Sequence, residues 1–183
     1  MILESNHDFP YVQVQLTFHG GSLTDPPGKE GLAYIAAQLA LRGTGALSEA
    51  AFAEAIDRLG GSFDVSVGKQ HVVADAEVLS RNLAPLLALV GQALTSPTNA
   101  QSELDKLVRQ TVTEVEELVD SDEELGRHVF DQALNQPDAS ARPVKGTPAS
   151  LRAITLADVQ AAFKRQFVTK RLVVGAAGDV TPE

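Results

Sequence analysis

No cysteine occurs among the 183 residues, which removes thiol catalysis, cysteine-based zinc sites and any disulfide framework. Positive charge is scarce: 15 Lys and Arg stand against 24 Asp and Glu, for a formal charge of -9. Nucleic-acid affinity rests on neutralising phosphates, so that balance argues against such a ligand and for an acidic, solvated surface. No apolar run approaches the roughly 20 residues that span a bilayer. The opening MILESNHDFP lacks the basic stretch and apolar run of a secretory leader.

What is present suits a globular chain, with 44% apolar and 21% charged residues. Single cores commonly serve roughly 100 to 200 residues, so one domain is expected over 1–183. A core of that size buries around 70 percent of the unfolded surface and needs no covalent or metal staple.

The periodicity alternates between strand and helix. In YVQVQLTFH, Val12, Val14, Leu16 and Phe18 face one side and Gln13, Gln15 and Thr17 the other, the pattern of a half-buried strand. A Gly- and Pro-rich loop follows, then a helix opening near Glu30 with a stripe of Leu32, Ile35, Ala36, Leu39 and Ala40. Ser48 is placed to cap a second helix, stopped by Gly60 and Gly61. SFDVSV and HVVADAEVL read as two strands of a hairpin turning at Gly68, Lys69 and Gln70.

Leu83, Leu86, Leu87, Val90 and Leu94 mark a further helical face, with Pro85 tolerable near its first turn. A long helix is expected from about Ala100 to Leu118 and a shorter one over 123–134, followed by an irregular loop, NQPDASARPVKGTPAS. Thr155 with Asp158 resembles a capping box that opens a last helix ahead of a final strand, RLVVGAA. This order predicts an α+β fold, a mostly antiparallel sheet with helices packed on one face.

Tyr34, Ala37 and Gln38 occupy positions i, i+3 and i+4 and project together from the first helix, on the side away from its apolar stripe. A zinc helix of the form H-x-x-E-H uses those three positions, with two His as ligands and a Glu to activate water. None of the three residues present can serve in that way. A phenol is a poor zinc ligand, alanine has no donor, and an amide oxygen is neutral. The four histidines, His7, His19, His71 and His128, lie far apart in sequence, and only His128 has carboxylates at helical spacing, Glu124 and Asp131. GGSLTDPPGKEG lacks the G-x-x-x-x-G-K-[ST] spacing of a phosphate loop.

GGSLTDPPGKEGLA, LRGTG, LGGSF, VLSRNLAPLLALVGQAL, RPVKGTPASLRAIT and VVGAAGDVTPE follow one another over nearly the whole chain. In that order and spacing they resemble the insulinase/pitrilysin family of zinc metallopeptidases, the inverzincins, which includes the mitochondrial processing peptidase. Active members carry an opening helix like GLAHFLEHM. The resemblance places its two His ligands on Tyr34 and Gln38, its catalytic Glu on Ala37, and a third ligand, a Glu of a later helix, on Glu114. Glu114 survives, within a run of carboxylates that reads as a solvated surface.

The resemblance also implies a peptide-binding strand edge after the paired glycines, which here holds Ser62, Phe63, Asp64 and Val65 in place of the usual Asn-Ala. It implies no metal in this chain and zinc in a catalytic half, fused or separate, that encloses a peptide substrate together with it. The chain is then expected to be the first domain of an inactive half of a larger bacterial protein, periplasmic or cytoplasmic. A structural or assembly subunit of the same fold with no role in proteolysis is the alternative.

Overall fold

The computed structural model describes residues 2–98, 100–118, 125–126, 129–130, 133–134 and 138–181. Its elements in chain order are β1 (Ile2–Ser5), β2 (Tyr11–His19), α1 (Leu32–Gln38), α2 (Glu49–Arg58), β3 (Ser62–Val67) and β4 (His71–Leu79). Then come α3 (Leu83–Thr95), α4 (Gln101–Glu117), α5 (Pro148–Arg152), α6 (Leu156–Gln166) and β5 (Leu172–Gly178). The expected helix over 123–134 lies partly, and His128 with Glu124 and Asp131 wholly, outside the described residues.

Five strands form one sheet in the order β1-β5-β2-β4-β3. All neighbours run antiparallel except β1 and β5, which are parallel. The alternation read in β2 and β4 is the physical basis of the layering. Val12, Val14 and Phe18 are buried with Val72, Ala74, Ala76 and Val78, while Tyr11, Gln13, Gln15 and His19 remain on the open face. In one core cluster with residues of this face lie Ile35 of α1, Leu86 and Val90 of α3, Leu104 and Leu107 of α4, Leu151 of α5, and Val159 and Phe163 of α6.

Caps fix the helix ends as the sequence indicates. The Ser48 hydroxyl accepts from the Ala51 amide, and Thr155 and Asp158 form a reciprocal capping box at the start of α6. Two expectations change. Leu87 is 37% exposed rather than inward, because α3 presents Leu86, Val90, Ala93 and Leu94 to the core. The stretch read as loop to Ser150 already contains the start of α5, where Thr147 and Ser150 form a second capping box with Pro148 in the first turn. Among the histidines, the β2–β4 register sets His19 opposite His71.

Candidate functional site

The start of α1 is fixed by a buried carboxylate. Asp25 is 4% exposed and accepts from two backbone N–H groups, Gly31 at 3.0 Å and Ala33 at 2.9 Å. These are donors that an α-helix leaves unsatisfied at its first turn. Burial pushes the Asp25 carboxyl up to about 6, against the lowering pull of the Ala33 and Gly31 amides and of Arg165 and Arg142. Arg142 also donates to the Asp25 main-chain carbonyl at 3.1 Å.

Residues 143–147 are clasped against the same turn by two glycines. Gly31 has φ 93° and Gly146 φ 81°, both in the left-handed region. A Cβ on Gly31 would collide with the Lys145 carbonyl, and one on Gly146 with the Glu30 carbonyl. The Ser150 hydroxyl donates to that Glu30 carbonyl at 2.8 Å. The backbone of Lys145 is therefore held beside the first turn of α1.

From α1, Tyr34 and Gln38 reach the edge of the core half-buried, whereas Ala37 is 0% exposed inside it. Helical spacing alone places Ala37 on a flank away from the apolar stripe, and the structure corrects this. α1 is buried nearly all round, with Leu32, Ala33, Ile35, Ala36 and Ala37 all inside. Gln38 Nε2 donates to the Val65 carbonyl at 2.7 Å. The Lys145 ammonium lies 5.6 Å from the Tyr34 ring centroid and 2.9 Å from Glu114 Oε2. Gln110 Nε2 donates to the other Glu114 oxygen at 3.0 Å. Glu114 is thus not merely one member of a solvated acidic run.

Charge shapes both groups. Burial pushes the Tyr34 phenol above its ordinary value, opposed by Lys145 and Arg42 and assisted by Glu114 and Asp64. Burial opposes ionisation of Glu114 too, but the hydrogen bond and charge of Lys145, with Gln110 and Arg42, outweigh it and hold the carboxyl below the usual range.

The structure thus brings Tyr34, Gln38, Glu114 and the edge strand to one place, together with three residues that the sequence does not single out: Lys145, Gln110 and Arg42. No local pattern announces Lys145, since its position follows from the glycine clasp. On β3, which is an edge of the sheet, Ser62 and Asp64 are exposed and Val65 is buried. Phe63 turns inward to meet Phe52 edge-on at 6.2 Å.

A zinc ion does not fit these residues. The Gln38 amide is committed to Val65, Ala37 offers no donor, and both Glu114 oxygens already accept hydrogen bonds. Among the described residues no group of three or more His, Cys, Asp or Glu is placed to hold a metal. A shallow cavity of about 360 Å³ lined by Glu4, Phe9, Tyr11 and Gln13 lies on the open face of the sheet, away from α1.

The chain is similar to several known proteins. The family model described as Insulinase (Peptidase family M16) matches residues 1–147. An "Uncharacterized zinc protease" of Rickettsia bellii is 23% identical over 97% of this chain and 44% of its own length. "Non-peptidase homolog YmxG" of Helicobacter pylori is 26% identical over 98% of this chain and 42% of its own. The crystal structure of a "peptidase M16 inactive domain" from Pseudomonas fluorescens superposes with a TM-score of 0.92 at 22% identity, over 98% of this chain and 44% of that one. The chain therefore spans less than half the length of these relatives.

Proposed function

Because this chain belongs to the insulinase family of peptidases, family M16, we propose that it is a non-catalytic, zinc-site-less domain of that family, working beside a catalytic half. One observation carries the reading: the positions that would hold and use zinc on α1 are Tyr34, Ala37 and Gln38, and the remaining carboxylate, Glu114, is held by Lys145. The names of the Helicobacter pylori and Pseudomonas fluorescens relatives support it.

In this reading residues 1–183 form one domain, the first of an inactive half, and contribute wall and strand edge to a chamber around a peptide. Zinc, the activated water and the bond cleavage belong to the partner half. β3 is an edge strand of the sheet, and in this reading its residues Ser62–Val65 offer main-chain pairing to an extended peptide. The alternative, a structural subunit without a role in proteolysis, draws support from one contact. Gln38 occupies the Val65 carbonyl, an acceptor on that edge strand.

Reconstitution separates the two. The protein is combined with a partner half carrying an intact H-x-x-E-H helix, and peptide hydrolysis is measured with and without it. The proposal expects hydrolysis to rise at least ten-fold when both are present. An unchanged rate would discard the chamber role and leave the structural reading.

A further inference from the structure

We propose that Lys145 is a built-in cation that replaces the metal ion: its ammonium stands between the first and third ligand positions, Tyr34 and Glu114, and bars a divalent cation from that place. The inference rests on the reading of α1 as a degenerate zinc helix, and adds a cause for the exclusion beyond the missing ligands.

Three observations support it. The ammonium lies 2.9 Å from Glu114 Oε2, the distance of a charge-assisted hydrogen bond. It also lies 5.6 Å from the Tyr34 ring centroid, within range of a cation–π contact. A metal held by side chains from positions 34 and 114 would need the same Glu114 carboxylate. The lysine is not a loose surface group either. Although its side chain is 42% exposed, its backbone is held by the interlocked turn in which neither Gly31 nor Gly146 can carry a Cβ without collision.

The consequence is that supplying ligands alone will not restore a metal site. A divalent ion entering beside Lys145 meets like charge a few ångströms away and must also displace the ammonium from Glu114. Removing the charge while keeping the apolar stem relieves both obstacles.

The test compares Tyr34→His/Gln38→His with the same pair carrying Lys145→Met, and with the pair carrying Lys145→Arg. Co(II) is titrated into each and followed by its visible ligand-field absorption, after circular dichroism and urea midpoints have established folding. The proposal expects at least ten-fold tighter Co(II) binding with Lys145→Met than with Lys145 or Arg at that position. Equal affinity with and without the lysine overturns it, and so does absence of binding in all three. Binding by the unaltered chain would instead overturn the reading of α1 itself, so the two failures are distinguishable. If the paired substitution does not fold, Tyr34→His is compared with Tyr34→His/Lys145→Met by Mn(II) broadening of NMR signals, which reads weak binding. Stronger broadening with Lys145→Met is expected, and equal broadening overturns the proposal.

Discussion

Gln38 donates its side-chain amide to the main-chain carbonyl of Val65 at 2.7 Å, tying α1 to the edge strand of the sheet. A neutral hydrogen bond of this kind contributes roughly 0.5–1.5 kcal/mol net. Gln38→Ala is therefore expected to lower stability by about that amount, read as a shift in urea midpoint at constant slope. An unchanged midpoint would mean that water satisfies Val65 equally well.

Ala37 sits where an H-x-x-E-H helix carries its glutamate. Its side chain is 0% exposed and belongs to the main core cluster. Ala37→Glu would force a further methylene and a carboxyl into that packing, costing roughly 3 kcal/mol or more. A thermal melt should show a large loss or no folded protein, whereas Tyr34→His, at a half-buried position, should be tolerated.

Asp25 gives a pH signature of definite sign. Its carboxyl is raised from 3.8 to about 6 in the folded chain, so the folded state binds the proton more tightly than the unfolded state. The resulting stabilisation is fully present below pH 3.8 and is lost as pH rises through about 6, a change of at most about 3 kcal/mol. Urea unfolding at intervals between pH 4 and 7 should show stability falling across that window, and Asp25→Asn should flatten the slope. A slope that Asp25→Asn leaves unchanged would assign it to other groups.

Asp158 acts in the opposite direction. Hydrogen bonds from Lys29 and Thr155 hold its carboxyl down to about 2. Its contribution is present above pH 3.8 and lost as pH falls toward about 2, below the Asp25 window. The side chain is 32% exposed, so solvent screens the ion pair with Lys29, while the Thr155 hydrogen bonds belong to the cap of α6. Asp158→Ala should cost about 1 kcal/mol near neutral pH. A loss confined to low salt would instead point to the ion pair with Lys29.

Much of the fold is legible in local pattern. Period-two alternation marks β2, β3 and β4, and Ser48 and Thr155 place two helix starts, because these signals reside in neighbouring residues. β1 is not legible: Ile2–Ser5 is too short to show a period and is defined by pairing with β5 at the far end of the chain. The start of α5 is hidden by a Pro- and Gly-rich context, although Thr147, Pro148 and Ser150 carry its capping signal.

The site divides in the same way. Helical spacing groups the three α1 positions, and the family resemblance picks out Glu114. The burial of Ala37, the Gln38–Val65 bond and the arrival of Lys145 depend on tertiary contacts that no window of sequence contains.

The central claim is that this chain has no metal-dependent peptidase chemistry of its own. Calorimetric titration of Zn(II) into the purified chain, with a peptide-hydrolysis assay run with and without chelator on the same sample, tests it most directly. The account predicts no stoichiometric tight site and no chelator-sensitive cleavage. A one-to-one sub-micromolar site lost in Glu114→Ala, accompanied by hydrolysis that the chelator abolishes, would contradict it.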